Sequence, residues 1–136
     1  MITNGPAMLQ KWLTGYGYTE GLAEFVKQFP EAKHNGMVYR GMFFDHYPSI
    51  DEIRNSDFCS WTTSREVAEY FAAHSKYGVV LSKQSTGYDV EKILNTLRTR
   101  GELPERLKNY RSSASEKEVL DSLNVNNVKI FRVGIK

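Results

Sequence analysis

The segment Ser60-Trp61-Thr62-Thr63-Ser64-Arg65-Glu66-Val67-Ala68-Glu69-Tyr70-Phe71-Ala72 contains the change of period that decides the fold. Phe58 to Thr63 reads as a strand. From Ser64 onward, Val67, Ala68, Phe71 and Ala72 recur at helical spacing. That predicts a helix from Arg65 to about His74 with those four as its buried stripe. Ser64 can cap the free N–H groups of its first turn, and Thr63-Ser64-Arg65-Glu66 fits a capping box. Capping does not use all three consecutive hydroxyls. Thr62 is the spare one, at a strand end beside a helix N-terminus, where it can hold another polar group.

Upstream, Pro6 to Leu13 reads as a short helix, broken at Gly15-Tyr16-Gly17-Tyr18. Thr19 is a suitable N-cap for a second helix carrying Leu22, Phe25, Val26 and Phe29, which Pro30 ends. Asn35-Gly36 is a turn signal, and Met37 to Phe44 is an aromatic, apolar strand interrupted by Arg40 and Gly41. Downstream, Gly78 to Ser82 is a short strand, Gln84 to Tyr88 a loop and Val90 to Leu97 a helix. Residues 101–115 are polar, with room for a short helix before a loop. Glu116 to Leu120 and Val128 to Ile135 read as strands. Helices first, then strands with intervening helices, predict an α+β fold on a mixed or antiparallel sheet.

The 136 residues suit one domain with one core, in which residues 1–35 form a helical N-terminal part and 36–136 the remainder. Eight Tyr and seven Phe point to aromatic packing in the core and in any pocket. The net charge of +2 argues against a dedicated nucleic-acid binder. A basic patch around Arg98, Arg100, Arg106, Lys108 and Arg111 reads more simply as a solvated helix surface. The single cysteine, Cys59, allows no internal disulfide and reads as a small apolar strand residue. His34, His46 and His74 show no ligand spacing with Cys59 or with an acidic cluster, so no metal site is expected. Met1 to Pro6 has no basic start or apolar leader, and no apolar run approaches the ~20 residues a bilayer requires. The expectation is a protein acting in a cytosol, its own or a host's, with no membrane partner.

Three elements carry chemistry. Arg40 places a guanidinium in an apolar strand. It is either an edge residue facing solvent or a fork for a phosphate or carboxylate. Gly41 favours the fork, because a glycine inside a strand often marks close approach of a ligand to the backbone. The hydroxyl run Thr62-Thr63-Ser64 is the second. The third is Glu116-Lys117-Glu118. In a strand, side chains two apart share a face, so both carboxylates would point the same way despite their repulsion. An acidic pair on a solvent-facing strand edge would look the same. Together, an arginine, hydroxyls and a carboxylate pair suit a site that grips an anionic nucleotide and stabilises a sugar cation.

The ordered set Val38-Tyr39-Arg40-Gly41, Thr62-Thr63-Ser64 leading into Phe71-Ala72, and Glu116-Lys117-Glu118-Val119-Leu120 resembles the mono-ADP-ribosyltransferases of the arginine–serine–glutamate class. These include cholera-type and binary-toxin enzymes and phage transferases. The resemblance spans roughly Val38 to Val133. Thr62 stands where that family's first motif serine does, and Gly87-Tyr88-Asp89-Val90 resembles its mid-chain loop. The resemblance implies helices packed on a split sheet, with an NAD cleft in the 36–136 part, and an enzyme that moves ADP-ribose from NAD to a protein acceptor. Glu118 would be catalytic, with Thr62 holding it in place. Arg40 would grip the NAD phosphates and the Gly41 backbone the nicotinamide amide. Tyr39, Ser64 and Phe71 complete the expected NAD-binding set.

The resemblance further implies, from glutamate at 116, an arginine acceptor. A guanidinium stays protonated (pKa above ~12) and is a poor nucleophile until a carboxylate draws off its proton. Glu116, with Tyr110 from the loop 108–115, is therefore the expected acceptor contact. An NAD glycohydrolase would use the same residues, and a catalytically silent binding or inhibitor protein could keep the fold. By elimination, small size and the missing leader point to a phage or bacterial effector acting on host proteins.

Overall fold

The computed structural model describes residues 5–14, 21–108, 110 and 117–133. In chain order the elements are α1 (Gly5–Leu13), α2 (Leu22–Val26), β1 (Gly36–Met42), β2 (Ser56–Thr62), α3 (Arg65–Ala72), β3 (Val79–Ser85), β4 (Tyr88–Asp89), α4 (Val90–Arg100), β5 (Glu118–Leu123) and β6 (Lys129–Arg132). The fold is α+β. Its six strands form one sheet in the order β4-β5-β2-β1-β3-β6, and every described pair is antiparallel.

The sheet consists of two ladders with a thin join. β1 and β3 run in unbroken register from Gly36↔Ser85 to Met42↔Val79. β2 and β5 pair from Ser56↔Leu123 to Thr62↔Glu118, with an irregularity between Ser56 and Cys59. Among the described residues, β1 and β2 meet at a single register pair, Tyr39↔Thr62. At one edge β6 pairs with β3, and its four residues are exposed.

Strand alternation sorts the side chains into cores. On one face Val38, Cys59, Trp61, Val79, Leu81, Val119 and Leu123 pack with Ile53. On the other, Leu120 joins the apolar stripes of α1, α2 and α4 and the buried Leu107. Also on that face, α3 rests Ala68 and Ala72 on Val80. Among the described residues no helix is long and apolar enough to cross a membrane.

Three local expectations change. α2 begins at Leu22, with Gly21 in a left-handed backbone (φ 89) at the cap position; Thr19, expected there, lies outside the described residues. β3 continues through Lys83-Gln84-Ser85, because ladder pairing with β1 holds polar residues that hydropathy would stop at. Gly87-Tyr88-Asp89-Val90 is a strand and a helix start rather than a loop. Tyr88 and Asp89 pair with Leu120 and Val119, and Asp89 Oδ1 accepts from the Lys92 N–H at 3.2 Å to cap α4.

Candidate active site

The register Thr62↔Glu118 and the two-residue period of strands put Ser60, Thr62 and Glu118 on one face. Ser60 stands diagonally across from Glu118, and its Oγ donates to Glu118 Oε2 at 2.8 Å. The Tyr110 hydroxyl donates to the other oxygen, Oε1, at 2.9 Å. Glu118 is only 7% exposed. A carboxylate at that depth loses solvation worth several kcal/mol, and each hydrogen bond to a charged group restores about 1.5–3 kcal/mol. Donors on opposite oxygens also fix the rotation of the carboxylate plane.

Ser60 is a cleft hydroxyl that does not stand out in the sequence. The resemblance gives the role of holding Glu118 to Thr62, and Ser60 and Tyr110 also donate hydroxyls to that carboxylate. Thr62 Oγ1 accepts from the Ser64 N–H at 3.0 Å, and Ser64 Oγ accepts from the Val67 N–H at 3.3 Å. Ser64 is the N-cap of α3, a role worth about 1 kcal/mol. The signal for Ser60 was its spacing: two residues before Thr62, it shares the face of Thr62.

Arg40 reaches toward β2 across the gap beyond the single pair Tyr39↔Thr62, and its Nη1 donates to the Ser60 carbonyl at 2.7 Å. Its Nε is buried with no hydrogen-bond partner among the described residues. A guanidinium lining a cleft suits an anionic oxygen. The cleft, about 220 Å³, is lined by Tyr39, Arg40, Gly41, Ser60, Thr62, Phe71 and Glu118, with Trp61, Val67 and Ala68. Phe71 is 37% exposed, and its ring lies at 17° to that of His74 with centroids 6.2 Å apart. Gly41 has a packing reason of its own. A Cβ there would sit 1.9 Å from the Ala68 carbonyl oxygen, so the glycine admits α3 against β1 whether or not a ligand approaches.

The start of β5 differs from the expectation. β5 starts at Glu118, not Glu116, and Lys117 before it is left-handed (φ 52). Strand alternation therefore does not run back from Glu118 through 117, and Glu116 itself lies outside the described residues. The Lys117 carbonyl accepts from the Thr63 N–H at 3.2 Å, tying the approach to Glu118 onto the end of β2. Of the acceptor loop 108–115, only Lys108 and Tyr110 are described, and the Tyr110 hydroxyl points to Glu118.

Cys59 faces away from the cleft into the core, and burial pushes its thiol up, against a smaller downward pull from Arg40 and Lys83. It is poorly suited to act as a nucleophile. Among the described residues no cluster of three His, Cys, Asp or Glu side chains is placed to hold a metal ion. The cleft thus combines a guanidinium, an oriented carboxylate, hydroxyls and an aromatic wall. Comparison with protein-family models, curated proteins and solved structures finds no match to this chain.

Proposed function

We propose that this chain transfers ADP-ribose from NAD to an arginine side chain of a protein acceptor, releasing nicotinamide. The observation that carries this reading is the convergence of Arg40, Ser60, Thr62 and Glu118 on one cleft from three separate strands. At about 220 Å³ the cleft is smaller than the roughly 300–1,000 Å³ of sites that engulf a drug-sized molecule. It suits the nicotinamide ring and its ribose, with the remainder of the dinucleotide lying along the open side.

The chemistry follows from charge. Cleavage of the bond between ribose C1′ and the nicotinamide nitrogen sends the electron pair to the ring and leaves positive charge on the sugar. Glu118, held beforehand by two hydroxyls, stabilises that charge without reorganising. Arg40, a lining residue of the cleft, takes a phosphate oxygen through its guanidinium. Phe71 and Tyr39 flank the ring. The acceptor guanidinium nitrogen then attacks C1′ and gives up its proton, the task this reading gives to Glu116.

The test uses biotinylated NAD, an arginine-rich protein mixture and a parallel measurement of nicotinamide release. The expected result is label on protein that is lost from acceptors whose arginines are blocked. Nicotinamide release with no protein label would mean that water is the acceptor and the chain is an NAD glycohydrolase. A protein that neither binds nor consumes NAD would overturn the reading.

A further inference from the structure

Tyr110 was expected to meet the acceptor, yet its hydroxyl lies 2.9 Å from Glu118 Oε1. We infer that Tyr110 is a positioning residue for Glu118, forming with Ser60 a two-hydroxyl clamp that sets the carboxylate plane. The inference rests on the transferase reading for its consequence in catalysis, but the clamp itself is a matter of geometry.

The two donors belong to different parts of the fold. Ser60 is fixed by β2 in the sheet. Tyr110 is fixed by the helical layer: its ring packs on the core of α1, α2 and α4, and its N–H donates to the carbonyl of the fully buried Leu107 at 3.1 Å. A carboxylate held through one oxygen can still turn about its last bond. Held through both, from two frames, it has one orientation. Tyrosine suits the task because its ring anchors in apolar surroundings while its polar tip reaches the cleft.

Tyr110→Phe removes the hydroxyl and keeps the ring. The experiment compares it with Ser60→Ala and with Tyr47→Phe, a control whose hydroxyl bonds the Lys76 carbonyl away from the cleft. NAD turnover and the δ-carboxyl ¹³C resonance of Glu118, assigned by its loss in Glu118→Gln, are measured on each. In Tyr110→Phe the expected results are a kcat about ten- to a hundredfold lower, the equivalent of one hydrogen bond to a charged group, a KM within about twofold, and a displaced resonance. Tyr47→Phe should change none of these. An unmoved resonance overturns the clamp. A moved resonance with unchanged kcat, or a raised KM at unchanged kcat, overturns the positioning role. If the parent protein consumes no NAD, the transferase reading falls and the resonance alone decides whether the clamp stands.

Discussion

Two carboxylates on β5, Glu118 and Asp121, stand three residues apart and therefore on opposite faces of the sheet, and their surroundings differ in kind. Asp121 Oδ2 receives Ser85 Oγ at 2.6 Å and the Lys83 ammonium at 3.1 Å, and Oδ1 receives the Ser122 N–H at 2.7 Å. Lys83 also donates to the Ser122 carbonyl at 2.6 Å. Burial pushes the Asp121 carboxyl up, but the hydrogen bonds from Ser85, Ser122 and Lys83 outweigh it and hold the group below its ordinary range. Glu118 receives a hydroxyl on each of its oxygens, which orients the carboxylate. The same strand thus carries one acid that ties elements together and another that faces a cleft with its orientation fixed. Nearby donors distinguish the two better than the acid itself does.

The strongest way to break this contrast is Glu118→Gln. It should cut NAD turnover at least a hundredfold while the melting temperature stays within a few degrees, because the amide keeps the shape and loses the charge. Comparable turnover in the variant would remove Glu118 from the chemistry. Asp121→Asn should do the reverse, destabilising the fold by about 2 kcal/mol in a denaturant titration at neutral pH, with turnover per folded molecule within about twofold.

The pH dependence sharpens the assignment of Asp121. Its carboxyl is depressed in the folded state, so its contribution is present above the unfolded value of about 3.9 and is lost as the pH falls through the folded one. The gap between parent and Asp121→Asn should therefore narrow below pH ~4. A gap as wide at pH 3 as at pH 7 would rule out the ion pair as its source. The smallest effect concerns the residue that leads into Glu118. Lys117 is left-handed, where a β-branched side chain is strained, so Lys117→Val should lose about 1 kcal/mol more stability than Lys117→Gly. Equal melting curves for the two would mean that φ at 117 relaxes freely.

What was legible in the sequence was local. The strand-to-helix change at Ser64 and the interruption of an apolar strand by Arg40 follow from side-chain period and capping chemistry within a dozen residues, whereas of the four residues expected in the buried stripe of α3 only Ala68 and Ala72 are buried and Phe71 is exposed at the cleft. Less legible was whatever depends on register between distant strands. Ser60 meets Glu118 only because Thr62 pairs with Glu118, and that pairing joins segments more than fifty residues apart. The Tyr110 contact depends likewise on where Leu107 is buried. Treating Glu116 and Glu118 as neighbours on one strand assumed an extended backbone at Lys117, and a left-handed residue there has no mark in composition. Gly41 reads in sequence as a place of ligand approach, and the Ala68 carbonyl, far away in the chain, requires a glycine there in either case.

The outer edge of the sheet has a consequence for self-association. β6 runs Lys129-Ile130-Phe131-Arg132, and its two apolar side chains are 39% and 37% exposed. If two copies aligned these edges head to tail about a twofold axis, Lys129 of each would face Arg132 of the other, while the sticky centre came together. Like charges placed directly opposite disfavour such a join. The cationic ends therefore oppose edge-to-edge pairing of two copies, and neutralising both would remove that opposition.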